Sequence, residues 1–408
     1  MQISTLPNLR HLRVFSEVAQ AGSISQAAPR VFLSQPAMTQ AIAKLEGQLD
    51  TELFKRLSSG MYLTPEGSIW QERVERCLEH LRQGLLDIQG VQSAGRMARA
   101  QQHLTQISST QLRALILVTD RQNFSLASRE LGISQSSLHR SARDLESILG
   151  LTLFETTSSG IAATRAAHIL SRRAKLAIAE IDQGMAELSA VRNRERGRLR
   201  IGSMPLARTS LLPLAINRFT AGHPGLQLEL VDGPYEDLIT HLLNADLDLV
   251  VGALRSPPPT DSLLQRELIA PPLAIIGRAD HPLRNASHLN VDTLAGYPWV
   301  VPREGTPTRE FFNAHFKDQL NEREMSLVET TSHILTREVL LGSDRLTLVS
   351  RHQLEHEIKA GQLAVMPYAL THTRRSIGFM LRRDWKATAS QQKFIDILID
   401  CAAEYAEL

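Results

Sequence analysis

Cysteine is almost missing from this chain: Cys77 and Cys401 are the only two among 408 residues. That excludes a disulfide framework, and both thiols are expected to be buried or inert in a reducing compartment. No apolar run approaches the roughly 18 to 20 residues that cross a bilayer. The first turns carry Arg10, His11, Arg13 and Glu17 among the leucines, which leaves no signal-peptide core. The expected setting is therefore cytoplasmic, away from any membrane. A glycine-rich phosphate loop, a nucleophile elbow and a C-x-x-C pair are also missing. Charge of either sign is nearly balanced, at +2 overall. The balance hides an asymmetry: residues 1–196 hold 23 Lys and Arg against 18 Asp and Glu, and residues 197–408 hold 22 against 25. A basic front and an acidic back suit nucleic acid at one end, although the bias is mild.

What is present is a repeat. Ser34 opens "SQPAMTQAIAKLEGQLDTELF" and Ser134 opens "SQSSLHRSARDLESILGLTLF", a shift of 100 residues (134 − 34). The same shift aligns Leu12 with Leu112, Val18 with Val118, Ala27 with Ala127, Glu46 with Glu146, Phe54 with Phe154 and Thr64 with Thr164, with no gap. An ungapped match that runs through loops implies one backbone used twice. Each copy reads as helix, helix, turn, helix. Ser34 offers a cap and Pro36 fits a first turn. Met38, Ile42, Leu45 and Leu49 form one apolar stripe, repeated by Leu138, Ala142, Leu145 and Leu149. With that stripe inward, Gln35, Pro36, Thr39, Gln40 and Ala43 face outward, as do Gln135, Ser136, His139, Arg140 and Arg143. A helix that enters the major groove with its N-terminal half needs such a face, since Gln pairs with adenine and Arg with guanine. A solvated helix face with no partner is the plainer alternative. Helical stretches over 65–92 and 164–192 follow the copies. Their stripes are Ile69, Val74, Leu78, Leu81, Leu85 and Ile88, then Ile169, Leu170, Leu176, Ile178, Ile181, Met185 and Leu188. Such helices are expected to pair with a second chain, or else with a neighbouring domain of the same one.

From residue 197 short apolar runs alternate with helices. Strands are expected at Leu199–Ile201, Leu226–Val231, Leu247–Val251, Leu273–Ile276, Trp299–Val301, Leu346–Val349, Leu363–Met366 and Ile377–Leu381. Helices are expected at Leu212–Ala221, Tyr235–Asn244, Arg309–Phe316, Ile334–Leu341 and His352–Ala360, giving an α/β fold with a largely parallel sheet. Ligands bind at the carboxyl ends of such strands. Ser203 and Met204 lie there, before a helix starting near Thr209 or Ser210. Thr306, Thr308 and Ser332 stand at the starts of two further helices, where simple capping is the competing role. His352 and His356 frame an H-x-x-E-H spacing of the zinc-peptidase kind, but nothing else in the sequence supports that chemistry. No cofactor, no metal and no catalytic residue is expected.

The stretch "VFSEVAQAGSISQAAPRVFLSQPAMTQAIAKLEGQLDTELFKRLSSGMYLTPEG" resembles the N-terminal domain of LysR-type transcriptional regulators. The alanine-rich second helix, SQPA, LE, LF-x-R and LTPEG stand where that family has them. "LLPLAINRFTAGHPGLQLEL", "LNADLDLVVG", "YPWVVPREGTPTR" and "HQLEHEIKAGQLAVMP" resemble its effector-binding domain, and "PWVVPREGTP" looks most like the subgroup named for regulation of galactose-binding protein. The resemblance makes the H-x-x-E-H segment an ordinary surface helix. It implies a multi-domain chain: all-α winged helix-turn-helix domains over 7–66 and 107–166, linker helices over 67–95 and 167–196, and a two-lobed α/β domain like periplasmic binding proteins over 197–408. It also implies a non-enzymatic regulator with double-stranded promoter DNA, a small-molecule effector and a homodimer or homotetramer as partners. Ser34, Gln35, Pro36, Thr39, Gln40, Lys44 and Arg56 would meet DNA from copy one, and Gln135, His139, Arg140 and Arg143 from copy two. Ser203, Met204, Thr306, Thr308 and Ser332 would line the effector cleft. The family ordinarily carries one helix-turn-helix, so the doubling is a departure. Copy two has Ser136 for Pro36, and Glu155-Thr156 for Lys55-Arg56. It is expected to be a weak helper that lengthens the footprint, or a spacer retained for dimer geometry.

Overall fold

The computed structural model describes residues 6–58, 60–89, 95–158, 160–192, 197–209, 211–322, 325–371 and 373–406. The chain divides into two compact units, the first built on residues up to Arg198 and the second on most of the remainder. The expected boundary at residue 196 and the helix start at Ser210 lie outside the described residues.

In the first unit each copy folds as the repeat predicts. Copy one comprises α1 (Leu9–Ala21), α2 (Ile24–Val31), α3 (Gln35–Leu49), the antiparallel hairpin β1 (Phe54–Leu57) and β2 (Gly60–Leu63), and α4 (Pro65–Asp87). Then comes α5 (Arg96–Gln106). Copy two is α6 (Ser109–Arg121), α7 (Phe124–Leu131), α8 (Gln135–Leu149), the hairpin β3 (Phe154–Thr157) and β4 (Gly160–Ala163), and α9 (Arg165–Val191). The caps repeat as well: Ser34 and Ser134 each accept a backbone N–H three residues on, as do Thr64 and Thr164. Met38, Ile42 and Leu45 are buried with Leu138, Ala142 and Leu145 in one continuous hydrophobic core that runs through both copies.

One expectation needs correcting here, and one of two open alternatives is met. The helix after copy one stops at Asp87, and α5 occupies a stretch with no sequence signal of its own. The long helices also bury their faces within one chain, because α4 packs against α9. The buried residues of α4 are Gly67, Trp70, Arg73, Val74, Cys77, His80, Leu81, Gly84 and Leu85, while Ile69, Leu78 and Ile88 are only half-buried. The stripe is turned by one residue because a buried arginine, not an aliphatic side chain, sits at its centre.

The α4–α9 contact is isologous. Arg73 binds Glu187 (Nε–Oε2, 2.9 Å), and the positions 100 residues away in the opposite sense, Arg173 and Asp87, repeat the pair (2.9 Å). A Cβ on Gly84 would meet Arg173 Cβ at 2.8 Å and Leu170 Cδ1 at 3.1 Å; one on Gly184 would meet Trp70 at 3.0 Å and Arg73 Cβ at 3.1 Å. Residue i touching j while i+100 touches j−100 is the signature of a two-fold axis, here relating two halves of a single polypeptide. Next to α1 and α6 the repeat meets itself, the Ser109 hydroxyl accepting the Leu9 N–H at 3.0 Å. Within the helix contact the symmetry is broken at a buried polar knot. Glu180 accepts from Arg73 (2.9 Å) and Arg76 (2.8 Å), with His80 Nε2 at 3.8 Å, whereas its counterpart is His80 and that of Arg76 is Leu176. Burial alone would push the Glu180 carboxyl up, but His80, Arg76 and Arg73 together hold it at about 2.

The second unit contains β5 (Gly197–Ser203), α10 (Pro205–Arg208), α11 (Leu211–Gly222), β6 (Leu226–Asp232), α12 (Tyr235–Leu243), β7 (Leu249–Ala253), β8 (Leu263–Ile269) and β9 (Leu273–Arg278). It continues with α13 (Val291–Ala295), β10 (Trp299–Val301), α14 (Pro307–His315), α15 (Lys317–Glu322), β11 (Leu327–Glu329), α16 (His333–Leu341) and β12 (Leu346–Ser350). Last come α17 (Glu355–Lys359), β13 (Leu363–Val365), β14 (Ile377–Arg382) and α18 (Ala389–Ala406). Among the described residues the strands form two sheets, ordered β6-β5-β7-β14-β8 and β11-β10-β12-β9-β13. Both sheets are mixed, which corrects the expectation of a largely parallel one. Parallel pairs such as β5–β7 and β10–β12 are joined through helices, while β14 runs antiparallel to β7 and β8, and β9 antiparallel to β12 and β13. The H-x-x-E-H segment is also not one helix. Arg351–Leu354 turns as 3-10, and α17 starts only at Glu355.

Candidate functional site

The two helix-turn-helix faces are built by the same devices and finished differently. At α3, the Ser34 hydroxyl caps the first turn, and Gln35, Pro36, Gln40, Ala43 and Lys44 are exposed. Thr39 is half-buried and donates its hydroxyl proton to the Gln35 carbonyl at 3.0 Å. At α8, Gln135, Ser136, Arg140 and Arg143 are exposed. His139 departs from its expected outward role: its ring stacks on Phe124 with centroids 3.8 Å apart, so part of its surface is spent on the core. Arg143 pairs with Glu146, three residues on, at 3.1 Å, and its side chain remains 74% exposed.

A carboxylate ties each hairpin to its helix. Glu46 Oε1 accepts the N–H groups of Leu53 (2.9 Å) and Phe54 (3.3 Å); Glu146 Oε1 accepts those of Leu153 (2.8 Å) and Phe154 (3.1 Å). The repeat marks this residue as shared, but sequence reasoning assigns it no task. The latch ties the start of β1 to the last turn of α3, and the strand carries exposed Lys55 and Arg56 opposite Tyr62 and Met61. In copy two the same places carry exposed Glu155 and Thr156. At its far end α3 is held by Arg192, which donates to the Leu49 carbonyl (2.6 Å) and pairs with Asp50 (3.1 Å).

In the second unit Ser203 ends β5, 1% exposed, and its hydroxyl is committed. It donates to Asp232 Oδ1 at 2.5 Å and accepts from Arg208 Nε at 3.1 Å. Met204 packs over Gly252, where a Cβ would collide with its side chain. Thr306 and Ser332 cap α14 and α16 by accepting the N–H groups of Arg309 and Leu335, each at 3.3 Å, and Thr308 is half-buried in the first turn of α14. Sequence reasoning misses Arg208 and His333. Burial pulls the Arg208 guanidinium below its ordinary value, with Asp232 opposing. Burial, then the nearby Arg208 charge, lowers His333. Gln353 explains the proton inventory: its Oε1 accepts from Ser350 N (3.1 Å), so its Nε2 donates to His333 Nε2 (2.9 Å), which is therefore unprotonated. Thr209, following α10 of one sheet, donates to the His352 carbonyl beside the other at 3.4 Å. Ser203, Arg208, Ser332 and His333 thus belong to one neighbourhood, while Thr306 and Thr308 sit at a separate helix start. Among the described residues no group of three or more His, Cys, Asp or Glu side chains is placed to hold a metal, and no helix is long and apolar enough to cross a membrane.

Comparison with known proteins agrees with this geometry. The model described as "Bacterial regulatory helix-turn-helix protein, lysR family" matches twice, over residues 9–68 and 109–168, and "LysR substrate binding domain" matches residues 192–402. The HTH-type transcriptional regulator GalR of Pseudomonas putida is 33% identical over 92% of this chain and 93% of its own length. The HTH-type transcriptional regulator PcaQ of Agrobacterium fabrum is 26% identical and covers 72% of this chain but 94% of itself. A full-length OxyR variant from Pseudomonas aeruginosa, 21% identical, superposes over 72% of this chain and 93% of its own with a TM-score of 0.51, a likeness of fold.

Proposed function

The chain belongs to the LysR family of transcriptional regulators, in which an effector-binding domain modulates DNA binding by a helix-turn-helix, and from that premise we propose that α3 is its principal base reader. Gln35, Pro36, Thr39 and Gln40 meet base edges, the Ser34 cap and Lys44 border them, and Arg56 holds phosphate from a hairpin that acts as a wing. The observation that supports this is an exposed polar face at the capped start of α3, together with a hairpin that carries exposed Lys55 and Arg56 and is tied to the last turn of the same helix by Glu46. The partner is double-stranded promoter DNA, in the cytoplasm, and the chain is a regulator and not an enzyme. The two sheets act as lobes around a small-molecule effector, and the ligand shifts DNA binding by favouring one arrangement of them. Ser203, Met204, Arg208, Ser332 and His333 are the first places to look for it, with Thr306 and Thr308 at the rim. Homodimers or homotetramers would assemble through surfaces other than the buried faces of α4 and α9.

Footprinting on the DNA upstream of the chain's own coding region tests the reader. Gln35→Ala should cost about 1–3 kcal/mol at the cognate site, and an unchanged footprint in both Gln35→Ala and Arg56→Ala would remove α3 from the role. For the effector, Ser332→Trp should abolish ligand-induced change in that footprint while leaving ligand-free binding intact.

A further inference from the structure

The departures from the two-fold lie where they decide what the chain pairs with and what it reads. In the observed pair Glu180 neutralises Arg73 and Arg76, inside the helix contact. Were α4 to pair with α4 of a second chain, His80 would stand in for Glu180, and Arg76 would face no acid. Were α9 to pair with a second α9, Leu176 would stand in for Arg76 and a second Glu180 for His80, setting two buried carboxylates against each other. An α4–α4 pair thus loses the acid between Arg73 and Arg76, and an α9–α9 pair sets two buried carboxylates close together, where like charges repel strongly. The unlike pair, α4 with α9, is therefore the one the sequence specifies, and here both helices belong to one chain.

The same axis relates α3 to α8, and their outward faces differ. Both begin with an exposed Gln (Gln35, Gln135), but beyond it one offers exposed Gln40 and Ala43 and the other exposed Arg140 and Arg143. Two readers related by a two-fold match inverted half-sites on a duplex. We propose that one chain by itself occupies a DNA site of two inverted but unlike half-sites. The half under α3 is contacted through amides suited to adenine, and the half under α8 through guanidinium groups suited to guanine. Copy two is then a reader of its own half and not an accessory. The operator has no palindrome, because two different surfaces read it. This rests on the DNA-reading role of the helix-turn-helix.

In-vitro selection from random duplexes with the full chain tests it, using wild type, Gln35→Ala and the double variant Arg140→Ala/Arg143→Ala. Gln35, Arg140 and Arg143 are all exposed, and circular dichroism of the variants confirms that the helices persist. The expected result is a motif of two unlike inverted halves. Gln35→Ala relaxes base preference in one half only, and the double arginine variant relaxes it in the other only, each by about tenfold or more. A palindromic motif whose halves both relax in Gln35→Ala would mean that readers from two chains pair, and would overturn the proposal. So would a two-part motif indifferent to loss of both arginines. Enrichment of no motif at all would overturn the DNA-reading role itself, a different failure from the other two.

Discussion

Glu180 shows how much one buried carboxylate is asked to do. Its carboxyl is held at about 2 against an ordinary 4.5, a difference worth about 3 kcal/mol of folding free energy. Because the folded value is depressed, that stabilisation is complete above pH 4.5 and is lost as pH falls through 2. Urea unfolding of the wild type should therefore weaken across this window. Glu180→Gln should be less stable at about pH 7 by a similar few kcal/mol, with its own loss on acidification smaller by the same amount. A parallel fall in both proteins would show that the carboxylate is not the source. Cys77 gives a second check at this scale. It is fully buried beside Glu180, and burial pushes its thiol well up, so it should react with thiol reagents at the rate of global unfolding and not faster.

The long helices pair by close approach of backbone, and two glycines separate that effect from helix propensity. Gly84→Ala would place a methyl 2.8 Å from Arg173 Cβ, whereas Gly47→Ala in α3 would place one in open space. The first should destabilise by about 1–3 kcal/mol and the second stabilise by about 0.5–1 kcal/mol, both read from denaturant midpoints. Equal signs would place no tight contact at Gly84. Much of this level is legible in the sequence: a 100-residue shift, with a serine cap at Ser34 repeated at Ser134, locates the short helices of both copies. The partner of α4 is not legible. An apolar stripe states which face is buried and is silent about what buries it, and Arg73 at the centre of the contact looks like a surface residue until Glu180 is seen. Helix α5 gives little signal because "RMARAQQHLTQ" buries only Ala100 and Leu104. Strand β8, "LLQRELI", is masked because its buried ends, Leu263 and Ile269, flank a polar middle that is largely exposed. Spacing alone turns His139 outward, and only the fold brings Phe124 beneath it.

Across the whole chain the two copies share a frame and differ in the charge their hairpins carry. Arg56 stands on one hairpin and Thr156 on the other. Arg56→Ala should lower the slope of log affinity against log salt by about 1, and Thr156→Arg should raise it by about 1; titrations at several salt concentrations read both. No response to Thr156→Arg would mean that the second hairpin lies away from the duplex. The joining of α4 to α9 within one polypeptide has a consequence for dosage. When paired units form from separate chains and are mostly dissociated, halving the number of molecules quarters the pairs. Here every molecule brings its own pair, so halving the number halves them, and the pair survives any dilution because the connection through α5 keeps its effective concentration fixed. A cell holding a few dozen copies and one holding thousands would therefore carry the same fraction of assembled pairs.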